Sequence, residues 1–136
     1  MKKKLKSIML VDDNRTDNYF HKREIRKTNL AITVIEKNSA LEALEYLRIN
    51  KQNKALNPDL IFLDINMPCM NGWEFLQEYS RLDEELQREV MIIMLTTSGN
   101  PDNIARAKAM NIVADFITKP LTKEILEDIN QKYFVV

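Results

Sequence analysis

The sequence predicts an α/β fold in which a doubly wound, five-stranded parallel sheet carries helices on both faces. Three observations lead there. Five short apolar runs recur without clean alternation, as in strands buried on both sides. The segments between them carry apolar residues at helical spacing. At 136 residues and 45% apolar content, the chain can build one sizeable core rather than two, so residues 1–136 read as a single domain with no fused output domain.

The runs are Ile8 to Val11, Ile32 to Ile35, Leu60 to Leu63, Val90 to Leu95 and Val113 to Ile117. Phe20 and Ile25 mark a first helix, less clearly than the others are marked. After a Ser39 cap, Ala40, Ala43, Leu44 and Leu47 follow the i, i+3, i+4, i+7 pattern of a second. Trp73, Leu76 and Tyr79 mark a third, and Ile104, Ala107 and Met110 a fourth. Leu121, Ile125, Ile129 and Tyr133 repeat every four residues after Pro120 and give the fifth. Alternating strand and helix in this way implies right-handed crossovers that place each helix on one face or the other. The long polar connection from Asn50 to Asp59 reads as a solvated loop, and the charges from Arg81 to Glu89 and at Lys2 to Lys4 read as solvated surface.

Composition narrows the function. Twenty basic and twenty acidic side chains balance, so no global field favours nucleic acid or an anionic membrane, and any anion site is local. The single cysteine, Cys69, cannot form an internal disulfide, which fits a cytoplasmic setting. The apolar run after the basic amino terminus is too short for a signal peptide, and no run approaches the roughly 18 residues that span a bilayer.

In an open parallel sheet, ligands bind beyond the carboxyl ends of the strands. After the first run come Asp12 and Asp13, after the third Asp64, after the fourth Thr96, Thr97 and Ser98, and after the fifth Lys119 and Pro120. Glu36, Lys37 and Asn38, after the second, join no obvious constellation. Taken singly, acids and hydroxyls at such junctions are ordinary helix caps and Lys119-Pro120 an ordinary turn. Taken together, they gather on one rim. Converging carboxylates disfavour each other's ionisation unless a cation is present, and an all-oxygen site suits Mg²⁺. Lys119 supplies a point charge for a phosphoryl oxygen and Thr96 a hydroxyl donor. This inventory points to phosphoryl transfer onto a carboxylate.

The segment Asp64-Ile65-Asn66-Met67-Pro68-Cys69-Met70-Asn71-Gly72 resembles the phosphoacceptor loop D-x-x-M-P-x-M-x-G of the receiver domains of two-component response regulators. With Asp12-Asp13, Thr96 and Lys119-Pro120 in place, the resemblance covers nearly the whole chain. It implies the CheY-like, flavodoxin-like strand order 2-1-3-4-5. It also implies Asp64 as phosphoacceptor, Asp13 as a direct Mg²⁺ ligand, Asp12 as a ligand mainly through water, and the backbone carbonyl of Asn66 as a further ligand. By the same resemblance Lys119 pairs with the phosphate beside a cis Pro120, Thr96 is the switch hydroxyl, and Phe116 is the aromatic whose rotamer follows it. Two features depart from the pattern. The Thr96-to-Lys119 spacing is about one residue longer than in well-known members, and Asn111-Ile112 stands where a glycine is usual, which keeps Thr97 as an alternative switch residue. The Asn50 to Asp59 connection is similar in length to that of some stand-alone regulators paired with photoreceptor kinases.

The expected function is therefore a switch rather than an enzyme with turnover. It takes a phosphoryl group from a histidine kinase or phosphotransfer protein and controls an unidentified effector by docking, as a monomer or weak homodimer. A phosphotransfer shuttle or phosphate sink is the alternative. An aspartyl phosphohydrolase would need an acid two residues after its nucleophile on the first strand, where Asn14 and Arg15 follow the acids. A flavodoxin-type carrier would need a hydroxyl- and glycine-rich loop at the same place. His21 reads as a surface or kinase-contact residue away from the acidic rim. Trp73 reads as packing at the start of the third helix, and Cys69 as unremarkable in reactivity. Asn66 and Ser98 occupy positions from which side chains reach an attacking water.

Overall fold

The computed structural model describes residues 5–97 and 100–134; Ser98 and Lys2 to Lys4 lie outside them. Five strands, β1 (Leu5–Val11), β2 (Ala31–Lys37), β3 (Leu60–Asp64), β4 (Met91–Thr96) and β5 (Val113–Thr118), form one sheet in the order β2-β1-β3-β4-β5. Every pairing is parallel, as the sequence predicts.

The central strands are buried on both sides because neighbouring side chains serve two different cores. Met9, Val11, Ile61, Leu63, Ile92 and Met94 point into one cluster, closed by Leu44, Leu47, Phe75 and Leu76. Ile8, Leu10, Leu60, Phe62, Ile93 and Leu95 point into the other, closed by Ile25, Leu126 and Ile129. The edge strands differ. Every residue of β2 and β5 is at least partly exposed, with Ile32 fully on the surface, because an edge strand has a neighbour on one side only.

The helices are α1 (Arg15–Thr28), α2 (Ala40–Ile49), α3 (Gly72–Tyr79), α4 (Glu84–Glu89), α5 (Pro101–Lys108) and α6 (Lys123–Tyr133). Side-chain oxygens start them: Asn14 accepts from the Asp17 amide, Ser39 from Glu42, Asn71 from Glu74 and Thr122 from Ile125. The charged stretch read as plain surface contains α4, which is capped by Asp83 and anchors itself by burying Leu86. Within the polar Asn50 to Asp59 connection, a short 3₁₀ turn (Lys54–Leu56) meets α4 through ion pairs from Lys54 to Glu85 at 3.0 Å and Glu89 at 3.1 Å. In the fifth predicted helix the apolar repeat is offset. Leu121 is buried before the helix begins, and Leu126 joins Ile129 on the inward face while Ile125 and Tyr133 are half-buried.

The pairing of β4 with β5 is irregular at one place. Ile92 pairs with Val113 but Ile93 pairs with Asp115, so a bulge at Ala114 takes up one residue at the far end of β5. Beyond it Met94 pairs with Phe116 and Thr96 with Thr118, and the ladder reaches the site in register.

Candidate functional site

Strand alternation determines which side chains meet at the carboxyl rim. Continuing the series Ile8, Leu10 brings Asp12 to the face packed by α1 and α6. The series Leu60, Phe62 brings Asp64 to the same face. One carboxylate oxygen from each of Asp12, Asp13 and Asp64 lies within 4.8 Å of the others. Asp12 and Asp64 are only 4% and 7% exposed, whereas Asp13 is open to solvent.

Lys119 reaches into this group from the end of β5, its side chain 9% exposed. The ammonium lies 2.6 Å from Asp12 Oδ2, 2.8 Å from Asp17 Oδ2 and 3.4 Å from Asp64 Oδ1. Its backbone is held where the strands end: the Lys119 amide donates to the Thr96 carbonyl at 2.7 Å, and the Lys119–Pro120 peptide is cis.

The electrostatics follow from burial and crowding. Burial, followed by the Asp12 charge, raises Asp64 from 3.8 to about 6; Lys119 pulls against this, and Asp13 adds to it. Burial of the Lys119 ammonium works against its charge, but hydrogen bonds to Asp12 and Asp17 outweigh it and hold the group above the ordinary lysine value. The site thus has more carboxylates than one ammonium can neutralise. Such an all-oxygen group has the donor chemistry that suits a small hard cation.

The loop after β3 is shaped around the acceptor position. The Gly72 amide donates to the Ile65 carbonyl at 2.8 Å, the Met70 amide donates to the Pro68 carbonyl at 2.7 Å, and Cys69 takes a left-handed conformation at φ 68°. A Cβ on Gly72 would stand 2.6 Å from the Asp64 carbonyl oxygen and 3.0 Å from Ile65 Cα, so glycine alone lets α3 start this close to the strand end. Asn66 is exposed in this loop, two residues past Asp64. Trp73 is buried at the start of α3, where the Arg106 guanidinium stacks 4.4 Å from its ring centroid.

Thr96 and Phe116 belong to the opposite face of the sheet. Thr96 continues the series Ile92, Met94 and is 1% exposed, while Phe116, paired with Met94, is half-buried against the same cluster. Thr97 is exposed, one residue beyond the strand.

Three residues around the site escaped sequence reasoning, all from α1. Asp17 binds Lys119. Asn18, fully buried, donates to the Asp12 carbonyl at 2.8 Å and to Asn38 Oδ1 at 3.4 Å, which ties the end of β2 to the site. His21 is 2% exposed, which corrects its reading as a surface residue remote from the acids. Burial and the nearby Lys119 charge lower its pKa, while Asp17 and Asp12 pull it up, so it shares the field of the rim. The available signal was positional: a helix capped at Asn14, immediately after Asp13, must turn its first residues toward the strand ends.

Comparison with known proteins agrees with this geometry. The pattern of the response regulator receiver domain matches residues 8–130. The chain is 29% identical over 120 residues to the probable methanogenesis regulatory protein FilR2 of Methanothrix harundinacea, covering 88% of this chain and 76% of that protein. It is 29% identical to the two-component response regulator ARR5 of Arabidopsis thaliana over 87% of this chain, which spans 65% of that relative's length. Among solved structures, a two-component response regulator from Cytophaga hutchinsonii superposes with a TM-score of 0.88 at 28% identity, covering 96% of this chain and 97% of that one. The bacteriophytochrome response regulator AtBRR gives 0.77 at 26% identity, covering 98% of each chain. Receiver domains of this kind bind Mg²⁺ at an acidic pocket and are signalling domains phosphorylated by histidine kinases or phosphotransfer proteins. No helix among the described residues is long and apolar enough to cross a membrane. With its pattern matched from the first strand to the last helix, the chain belongs to the response regulator receiver domain family.

Proposed function

We propose that Asp64 is the phosphoacceptor of a Mg²⁺-dependent switch, served by a histidine kinase or phosphotransfer protein and acting on an effector by docking. The observation that carries this reading is the convergence of Asp12, Asp13 and Asp64 within 4.8 Å, with the Lys119 ammonium 3.4 Å from Asp64. An Asp64 oxygen attacks phosphorus, an acyl phosphate bond forms, and the donor's bond to phosphorus breaks with its electron pair leaving on the donor. Asp12, Asp13, Asp64 and the Asn66 carbonyl are the residues that would hold Mg²⁺, which supplies charge neutralisation for the phosphoryl oxygens. Lys119 pairs with a phosphoryl oxygen. The buried Thr96 hydroxyl, one strand away, is a better switch than the exposed Thr97, because it shares a sheet face with Phe116 and can pass a displacement to it by packing.

The test is intact-mass measurement after incubation with acetyl phosphate. Wild-type protein gains one phosphoryl group with Mg²⁺ and none with chelator, and Asp64→Asn gains none under either condition. Labelling of Asp64→Asn at wild-type stoichiometry would overturn the assignment. A partner that binds the phosphorylated form more tightly than the unmodified form identifies the output and separates a switch from a phosphate sink.

A further inference from the structure

The Lys119 ammonium has three hydrogens, and its two short bonds go to Asp12 at 2.6 Å and Asp17 at 2.8 Å, leaving Asp64 at 3.4 Å. Asp12 belongs to the acidic cluster, but Asp17 does not. It enters from the first turn of α1, where its backbone amide is fixed by the Asn14 cap at 3.0 Å. The Asp17 side chain is 32% exposed and has no other hydrogen bond or ion pair among the described residues, so its carboxylate is spent on holding this lysine. A phosphoryl group on Asp64 needs the ammonium within bonding distance of its own oxygens, a position from which the two short bonds hold it back.

Resting on the reading of Asp64 as acceptor, we propose that Asp17 is a positioning residue that draws Lys119 away from Asp64 and competes with the phosphoryl oxygen for it. The contact restrains the switch. In the unmodified protein Asp17 shares the lysine with Asp12; on phosphorylation Lys119 exchanges the Asp17 carboxylate for a phosphoryl oxygen, and Asp17, being partly exposed, is released to water. Because Asp17 sits on α1, the same exchange frees the amino-terminal turn of that helix from β5. The restraint acts through Lys119 and not through the charge of Asp17 alone.

The test uses the full chain, saturating Mg²⁺ and beryllofluoride as the phosphoryl probe, with binding read by the fluorescence of the single tryptophan, Trp73, or by calorimetry. Asp17→Asn preserves size and removes the competing charge. It should tighten beryllofluoride binding about two- to fivefold, the scale of one partly exposed ion pair, and speed labelling by acetyl phosphate by a similar factor. The same substitution in a Lys119→Met background should have no effect on the affinity, which a double-mutant cycle reads directly. Unchanged or weaker binding in Asp17→Asn overturns the inference, and so does equal tightening in both backgrounds, which would indicate a diffuse charge effect. If wild-type protein takes up neither beryllofluoride nor an acetyl phosphate label, the acceptor reading itself fails. Normal wild-type uptake with an indifferent Asp17→Asn sinks the positioning role alone.

Discussion

At Asp64 a buried carboxylate faces two other carboxylates and one ammonium that is already shared, and its folded-state pKa of about 6 stands above the ordinary 3.8. Between those two values the folded chain binds more protons at this group than the unfolded chain. Ionisation of Asp64 therefore lowers stability as pH rises through the window, and the loss is complete above about pH 6. His21 works in the opposite sense. Its pKa is lowered from 6.5, so below that pH the unfolded chain binds the extra proton and stability falls on acidification. Replacing Asp64 by Asn isolates the first effect. In cation-free buffer near about pH 8, Asp64→Asn should be more stable than wild type by about 1–3 kcal/mol in urea unfolding, with the difference shrinking toward about pH 4. An Asp64→Asn protein no more stable than wild type at alkaline pH would mean that Lys119 already balances the acids. The crowding that helps to raise this pKa followed from what comes after each strand, whereas its larger cause, burial of the Asp64 carboxylate, is not visible in the sequence.

Among the elements, α1 and α3 show where patterning succeeds and where it fails. The third helix was legible because Trp73, Leu76 and Tyr79 are buried apolar residues, behind a complete Asn71–Glu74 capping box. The first was weakly marked because the face it buries is Asn18, His21, Glu24 and Ile25, while Phe20 stands on the surface. An amphipathic period cannot detect a polar face committed to a polar site. At the head of α3, Gly72→Ala would press a methyl against the Asp64 carbonyl oxygen at 2.6 Å, so the loop must shift. A loss of about 1–3 kcal/mol in thermal or urea unfolding is expected, together with weaker Mg²⁺ binding, since the shifted backbone carries Asp64. Retained stability with lost binding would also fit that displacement; wild-type values for both would not. At the other end of α3, the buried Tyr79 hydroxyl has no partner among the described residues while its ring stacks on Phe75 at 5.9 Å. Tyr79→Phe keeps the stack and removes the orphan, and should raise stability by up to about 1 kcal/mol without altering Mg²⁺ binding. A destabilised Tyr79→Phe would show that the hydroxyl has a partner after all.

For the whole molecule, the parallel sheet was readable because β1, β3 and β4 are apolar on both faces, a pattern that only a doubly covered strand needs. The half-exposed edge strands were found by their place in the alternation rather than by burial, and α4 was missed because one inward residue, Leu86, sets no period. The fold's central tension is that its best-buried strands converge on its most repulsive corner. A cation at that corner should then stabilise the entire domain, because cooperative unfolding releases it. Added Mg²⁺ is expected to raise the unfolding free energy by roughly 2.7 kcal/mol at a concentration about 100 times its dissociation constant, and chelator should reverse the rise. The gain should be larger near about pH 8 than near about pH 5, because below about pH 6 a proton on Asp64 competes with the ion. Asp64→Asn and Asp13→Asn should each blunt the Mg²⁺ effect, while Asp102→Asn, on α5 outside the acidic group, should leave it intact. Thermal unfolding with and without Mg²⁺ at the two pH values reads all of this in one experiment. A shift equal in every variant would assign the stabilisation to general ionic strength and deprive the carboxylate cluster of its role as the ion's seat.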